Sequence, residues 1–300
     1  MELKNVSYSL RDRRILSGLN WRLEPGQHWG VLGNNGAGKS TFLRLVRGEI
    51  WPRAGHGSRL YCLNGRPEES PLAFRQASAL VSSELLDRYQ RRLWNLSALE
   101  TVCSGLSESV YLHEDPGREA WRRAEQALAR VGLAGKEREP LLRLSRGQIK
   151  LVLLARALVR RPRVLILDEA CEDLDLAARA EIFQVLDSLA QNGVSLLYAT
   201  HRREELIPAL SHLLVLEGGR IARQGLREEI LSGTVPAAGS LPPEARARTA
   251  SRQGKSSGSM VTISQADVFR ERRRVLRKID WSIEPGQSWA LLGPNGAGKT

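Results

Sequence analysis

The sequence lacks any apolar run long enough to cross a membrane. A spanning helix needs about 20 apolar residues, and the longest candidate, residues 151–154, is followed almost at once by Arg156. The first four residues also lack the apolar core of a signal peptide. We therefore expect a soluble, unexported protein.

Cysteine is scarce, with only Cys62, Cys103 and Cys171 and no CxxC pair. An odd number without paired spacing excludes a disulfide framework and a zinc knuckle, so reduced cytosolic thiols fit best. With 42% hydrophobic and 26% charged residues, the chain can build packed cores, which excludes wholesale disorder. Its 300 residues leave room for two domains of about 100–200 residues each.

Lysine supplies only seven of the 45 basic residues, so the net charge of +12 is nearly all arginine. Clustered cations can indicate a nucleic-acid partner. The arginines are spread through every segment, however, with one dense run at residues 270–278, and no nucleic-acid module is evident. We favour a solvated basic surface and expect no direct nucleic-acid partner.

The sequence repeats itself after 260 residues. Residues 1–40 align with residues 261–300 without a gap, and matching pairs include Trp21/Trp281, Trp29/Trp289, Gly36/Gly296 and Lys39/Lys299. We therefore expect one complete domain at residues 1–231, a flexible Pro/Gly/Ser-rich linker at residues 232–260, and the start of a second domain at residues 261–300. The chain is interpreted as a tandem protein broken off at Thr300.

A glycine-rich segment follows the short apolar run at residues 27–32 and precedes a helical pattern that opens at Thr41. Its residues are Gly33, Asn34, Asn35, Gly36, Ala37, Gly38, Lys39 and Ser40. This is G-x-x-x-x-G-K-[ST] between a strand and a helix, the phosphate-binding P-loop. The backbone N–H groups would surround an anion, Lys39 would reach the terminal phosphates, and Ser40 would offer its hydroxyl to Mg²⁺.

The same motif recurs at the end of the chain. Its residues are Gly293, Pro294, Asn295, Gly296, Ala297, Gly298, Lys299 and Thr300. Thr300 there takes the Mg²⁺-binding place of Ser40. A simple connecting turn would not place Lys and Ser or Thr in the same register twice, so we expect two phosphate sites.

Two acids end a continuous apolar strand at residues 164–167, of the kind that is buried on both faces. Asp168 is expected to hold the Mg²⁺ shell. Glu169 is expected to orient or deprotonate the attacking water. A solvated acid pair at a strand end is the alternative, and the phosphate loop favours the catalytic interpretation.

A third motif lies upstream of that strand, at Leu144, Ser145, Arg146, Gly147 and Gln148. Ser145 predicts a helix N-cap, with free backbone N–H groups and a helix dipole that suit an anion. Helical spacing follows at residues 149–160. With this motif the sequence resembles the ATP-binding cassette (ABC) ATPases, whose signature is Leu-Ser-Gly-Gly-Gln, and the order of motifs matches that family along the whole first domain.

The resemblance implies an α/β P-loop NTPase fold with a parallel central sheet, an antiparallel β subdomain and a helical subdomain that carries the signature. It assigns Leu174 and Asp175 to the D-loop and His201 to the switch histidine that senses the γ-phosphate. It implies ATP and Mg²⁺ as ligands. It also implies that two cassettes close head to tail, with each ATP between one P-loop and the other signature.

The partners implied by the resemblance are a second ABC domain on the same chain and an integral membrane permease on a separate chain. The protein would then be cytoplasmic and peripheral on the inner membrane. Residues 84–140 would form the helical subdomain that docks the permease. The amphipathic spacing at residues 119–131 fits a docking face or packing within the domain equally well.

The sequence departs from the ABC family pattern at two positions near the catalytic motifs. Arg146 replaces the first signature glycine, and Ala170 replaces the proline that usually follows the catalytic glutamate. Two further departures from the family pattern affect the Q-loop and the adenine contact. In the Q-loop, Ser82 and Ser83 stand where a glutamine is expected.

The adenine-stacking aromatic is missing near Leu10. Tyr8 lies two residues earlier on the same strand face and is a candidate for adenine stacking. A core aromatic is an equally good interpretation of Tyr8.

Within the family, the sequence resembles tandem ATP-binding subunits of the ModF type, and the name of that group implies molybdate as cargo. The leading hypothesis is an ATPase subunit that energises a separate permease. The alternative is a soluble tandem ABC ATPase that acts on a ribosome or DNA; the short linker and the lack of long insertions count against it. A regulatory protein with little turnover is a third hypothesis, and intact Lys39, Asp168, Glu169 and His201 argue against it.

Overall fold

The computed structural model describes residues 1–233, apart from 12, 53–54, 56, 64, 66, 93–95 and 113, and residues 261–283, apart from 271–272. The chain divides into two compact units, Met1–Ser240 and Leu241–Thr300, and each is described by itself. The second phosphate motif, residues 293–300, and residues 234–260 of the predicted linker lie outside the described residues.

The first unit alternates strands and helices. Its strands are β1 (Glu2–Leu10), β2 (Arg13–Arg22), β3 (Trp29–Leu32), β4 (Ser58–Cys62), β5 (Pro67–Glu68), β6 (Ser78–Ser82), β7 (Val164–Asp168), β8 (Ser195–Thr200), β9 (His212–Glu217) and β10 (Arg220–Leu226). Its helices are α1 (Lys39–Arg47), α2 (Leu72–Ala77), α3 (Ser83–Arg92), α4 (Ala98–Cys103), α5 (Arg118–Arg130), α6 (Arg146–Leu158), α7 (Leu176–Gln191) and α8 (Arg227–Ser232).

The larger sheet has the strand order β10-β9-β3-β8-β7-β6. All of its strand pairs are parallel except β10 with β9. Alternate residues of β7 enter two different hydrophobic clusters, Leu165 and Leu167 one and Val164 and Ile166 the other. The predicted parallel strand, buried on both faces, is therefore confirmed. Because parallel strands share a direction, β3, β7 and β8 end at the same edge.

The smaller sheet is antiparallel, with the order β2-β1-β4-β5. The ring of Trp21 meets Trp29 edge-on at 5.6 Å and Phe42 at 5.1 Å between centroids. Such edge-to-face pairs add about 0.5–1.5 kcal/mol beyond the area they bury. These aromatic pairs hold the small sheet on β3 and α1. The antiparallel pairing of its strands confirms the predicted antiparallel subdomain.

The helical part of the unit packs α4, α5 and α6 against one another. The helix predicted at residues 119–131 is present as α5, which buries Ala124, Ala127 and Leu128. Its apolar face is thus used within the domain. The signature helix begins at Arg146 as predicted and ends at Leu158, two residues earlier than the spacing indicated. Among the described residues, no helix has both the length and the apolar character of a membrane span.

The second unit contains an antiparallel hairpin of β11 (Val261–Arg270) and β12 (Arg273–Ile283). Its pairing reproduces that of β1 with β2 after a shift of 260 residues. Leu3 pairs with Trp21 and Ile263 with Trp281, and the register shifts fall at equivalent positions. The hairpin therefore has the backbone design of the hairpin that opens the first unit.

Helices α6 and α7 touch where Gly147 lies against Ala178. A Cβ atom at position 147 would come within 2.7 Å of the Ala178 Cβ, which is closer than two carbons can approach. Glycine at this position therefore sets the distance between the two helices.

We expect Gly147→Ala to lose about 1–3 kcal/mol to overpacking, partly offset by the better helix propensity of alanine. A double-mutant cycle with Ala178→Gly, measured by urea unfolding, separates the two effects. The pair should be more stable than the sum of the single variants predicts, because Ala178→Gly restores the space. Simple additivity would show that the contact is not limiting.

Candidate functional site

The phosphate loop connects β3 to α1 in a conformation that requires glycine. Gly38 has φ of 101°, and a Cβ there would lie 2.9 Å from Leu16 Cδ2. A Cβ at Gly33 would lie 2.5 Å from the carbonyl oxygen of Leu216. The loop can pass so close to β9 at Gly33 and to β2 at Gly38 only because both positions lack side chains.

Helix α1 begins directly at the loop, and no side chain in the described part of the chain caps its N-terminal N–H groups. The N-cap is Gly38, and no acidic residue lies in the first turn. Backbone donors and the positive end of the helix dipole therefore point to the loop, which is the arrangement that binds phosphate.

Lys39 is buried at the start of this helix, with its side chain 4% exposed. Its ammonium donates to the carbonyl oxygens of Gly33, at 2.9 Å, and Asn34, at 3.3 Å. It also lies 3.2 Å from Glu169 Oε1. The charge is thus held between the phosphate loop and the end of β7.

Asp168 and Glu169 follow β7, and the parallel register places Asp168 between Ser82 of β6 and Ala199 of β8. Glu169 has a left-handed backbone with φ of 52°, and its N–H donates to the carbonyl of Ala199 at 3.0 Å. A non-glycine residue in this region is strained, and such strain concentrates at functional sites.

The carboxylate of Asp168 fits a cation. Burial raises its pKa above the ordinary range, while a hydrogen bond from Ser40 opposes that shift. Asp168 Oδ1 is buried without a hydrogen-bond partner in the described part of the chain. An unpaired carboxylate oxygen beside a hydroxyl is the kind of oxygen donor set that Mg²⁺ prefers.

His201 follows β8 and faces the same site. Its Nδ1 lies 3.6 Å from Glu169 Oε1, and its Nε2 accepts from Arg202 Nε at 3.2 Å. The structure therefore brings Lys39, Asp168, Glu169 and His201 together at the edge where three parallel strands end. The sequence predicts the order of these four residues along the chain but not the distances between their side chains.

The signature residues form a second cluster at the N-terminus of α6. Ser145 Oγ accepts from the N–H of Gln148 at 3.2 Å, and the Gln148 side chain accepts from Ser145 N at 3.1 Å. This capping box occupies one N–H group that the sequence predicted to be free. The exposed guanidinium of Arg146 lies 4.0 Å from Asp173.

The D-loop residues lie beside this cluster. Leu174 is buried, and Asp175 caps α7 by accepting from Ala178 N at 2.9 Å.

Tyr8 is half-buried on β1 opposite Leu16 and packs against the core. Both interpretations of Tyr8 stay open predictions.

The sequence missed Lys150, which lies two residues beyond the signature. Its ammonium donates to the carbonyl of Glu169 at 3.3 Å, and burial lowers its pKa. It ties the signature helix to the residue after β7. Its only sequence signal is that a lysine, rare in this chain, follows the signature motif so closely.

The sequence profile of a family described as ABC transporter matches residues 16–172. The chain belongs to the ABC transporter family. It is an ATP-binding subunit of the ABC type and an ATPase.

Among its relatives is an uncharacterized ABC transporter ATP-binding protein, YmeB, of Lactococcus lactis, 31% identical over 77% of this chain and 88% of YmeB. ModF of Escherichia coli, an ABC transporter ATP-binding protein, is 27% identical over 100% of this chain and 61% of ModF. The structure is similar to that of cbiO1 from Clostridium perfringens, part of the ABC transporter complex cbiONQ. The TM-score is 0.65 at 27% identity, over 78% of this chain and 90% of cbiO1. The predicted fold class is confirmed by this match.

The raised pKa of Asp168 predicts a gain in stability on removing its charge. The ionised carboxylate is disfavoured in the folded ABC domain, so its cost is absent below the ordinary pKa of 3.8, grows between that value and the raised pKa, and is complete above it. We expect Asp168→Asn to melt at a higher temperature at pH 7, by about 2–4 °C for each kcal/mol regained.

Thermal melting over a pH series without nucleotide measures this difference, which should shrink as the pH approaches 4. The matched control is Glu181→Gln, at an exposed position of α7, which should not change the melting temperature. A lower melting temperature for Asp168→Asn at pH 7 would contradict the assigned cost.

Proposed function

We propose that this ABC ATPase hydrolyses MgATP with Glu169 as the group that activates the attacking water, and that hydrolysis drives a separate membrane permease. One observation carries the catalytic part. Beside the phosphate loop, Oε1 of Glu169 lies 3.2 Å from the Lys39 ammonium and 3.6 Å from Nδ1 of His201.

Each residue of the site has a separate role in phosphoryl transfer. The N–H groups at the start of α1 and the ammonium of Lys39 hold the phosphates and stabilise the charge that develops on them. The Glu169 carboxylate orients a water and accepts its proton. His201 lies 3.6 Å from the same carboxylate oxygen and would contact the terminal phosphate of bound ATP.

Mg²⁺ would be held by the Ser40 hydroxyl and the Asp168 carboxylate, and in the second site by Thr300, which lies outside the described residues. When bound, the ion neutralises charge on the phosphate oxygens. The buried, unpartnered Oδ1 of Asp168 supports this assignment.

We also propose that the chain carries the start of a second ABC domain, at residues 261–300, joined by a linker at residues 232–260 to a first domain at residues 1–231. The 260-residue repeat supports it, and so does the common register of the β1–β2 and β11–β12 hairpins. The match to ModF, which spans the whole of this chain, supports it as well. Each ATP would lie between a P-loop and the signature of the other domain.

The permease would dock where the helical subdomain meets the large sheet, on the cytoplasmic face of the inner membrane. A cavity of about 290 Å³ lies there between α1, α3 and α6. Its charged lining residues are Arg44, Arg47, Arg88, Arg156, Arg160, Glu49, Glu84 and Glu108. Five cations against three anions favour a partner segment with negative charge. Molybdate as cargo rests on the resemblance to ModF-type subunits.

Glu169→Gln tests the assigned base. The amide keeps the shape of the side chain but cannot take the proton, so turnover should fall by at least about 100-fold while ATP binding persists. A phosphate-release assay and fluorescent-ATP titration measure the two quantities. Lys39→Ala is the contrasting variant and should weaken ATP binding itself. Unchanged hydrolysis by Glu169→Gln would overturn the assignment.

The permease is tested by capture with ATP-trapped Glu169→Gln protein from membranes of the source cell. We expect an integral membrane protein in stoichiometric amount. Adding Arg88→Glu should abolish capture, because it reverses a charge at the cavity, whereas Arg130→Glu at the exposed end of α5 makes the same change elsewhere and should not. Capture of ribosomes or DNA instead would replace transport by the alternative function.

A further inference from the structure

The two ring nitrogens of His201 have different surroundings. Arg202 Nε lies 3.2 Å from Nε2, and a guanidinium group only donates hydrogen bonds, so Nε2 must be the acceptor. Nδ1 is 3.6 Å from Glu169 Oε1 and is buried without a hydrogen-bond partner in the described residues. In the neutral ring, the single proton then lies on Nδ1 and faces the carboxylate.

Arg202 also has contacts on the side away from His201, with Glu205 and Thr200. Its Nη1 lies 3.9 Å from Oε1 of Glu205, whose side chain is 1% exposed. The Thr200 hydroxyl donates to Glu205 Oε2 at 2.6 Å and accepts from Arg202 N at 3.1 Å. The same oxygen has a nearer and more buried cation in Arg179, whose Nη2 lies at 3.7 Å, and the 44%-exposed side chain of Arg202 is a second cation beside it.

We propose that Arg202 is a positioning residue that fixes the proton of His201 on Nδ1. The ring then presents a hydrogen-bond donor toward Glu169 and toward phosphate bound at the loop. Without Arg202 the proton can reside on either nitrogen, and part of the protein presents an acceptor where a donor is required. The inference rests on the proposed function, because it assigns His201 to ATP turnover.

His28 supplies an internal reference for the tautomer. Its Nδ1 accepts from the backbone N–H of Leu196 at 3.2 Å, so its neutral ring carries the proton on Nε2. The two histidines therefore have opposite tautomers in one protein. Among the described residues, the groups that contact Arg202, which are Thr200, His201 and Glu205, are not hydrogen-bond partners of His28.

Nitrogen NMR of [15N]histidine-labelled protein tests the assignment at pH about 8, above the ordinary histidine pKa of about 6.5. His201 signals are identified by their loss in His201→Gln. We expect Nδ1 of His201 to resonate as a protonated nitrogen and Nε2 as an unprotonated one, with the reverse in His28. In Arg202→Met the two His201 signals should move toward each other or exchange positions, while those of His28 stay.

ATPase kinetics provide the second measurement. Arg202→Met should lower kcat by about 10- to 100-fold, the usual effect of removing an orienting partner, with KM for ATP little changed. Arg202→Lys, whose ammonium is also only a donor, should restore much of both the tautomer and kcat. Arg203→Ala removes the neighbouring exposed arginine and should change neither.

The outcomes separate this inference from the proposed function. A proton on Nε2 of His201 in the wild type, or an Arg202→Met protein that keeps the Nδ1–H tautomer, overturns the inference whatever the ATPase rate. A changed tautomer with unchanged kcat overturns it too. Absence of ATP turnover in the wild type overturns the proposed function, and the NMR spectra of the wild type and Arg202→Met then decide the tautomer assignment independently.

Discussion

The buried ammonium of Lys39 is the constraint on which the rest of the site depends. A charge that is 4% exposed is costly unless nearby groups replace its water. The carbonyl oxygens of Gly33 and Asn34 do so from one side and the Glu169 carboxylate from the other. The loop must therefore curve over the start of α1, and β7 must end beside it.

That requirement explains why the large sheet is parallel at this place. Strands β3, β7 and β8 each deliver one component at its carboxyl end: the loop, the two acids and His201. An antiparallel neighbour would send its end to the opposite edge. The strain of Glu169, with φ of 52°, is offset by its hydrogen bond to Ala199, so the neighbouring strand sets the direction of the catalytic carboxylate.

Much of this could be predicted from the sequence because the signals are local. The phosphate loop, the apolar strand before Asp168 and the cap at Ser145 each depend on residues within one turn or strand. Arg202 and Lys150 could not be found in this way, because their partners lie across the fold or depend on side-chain direction. Gln148 has two roles in one position: it belongs to the family signature, and as a glutamine three residues after a serine it also forms the capping box of α6.

The two hairpins show how sequence and backbone geometry are related when residues change. In the first, the N–H of Asn5 donates to the Asn20 side chain at 2.9 Å, and in the second the N–H of Gln265 donates to the Asp280 side chain at 2.7 Å. Likewise the N–H of Gly18 donates to Ser7, and that of Lys278 donates to Asp267. Different side chains thus satisfy the same backbone donors at the same bulges. Since an unpaired N–H is costly and any suitably placed oxygen can accept from it, the acceptor position, and not the residue identity, is what the register of this hairpin requires.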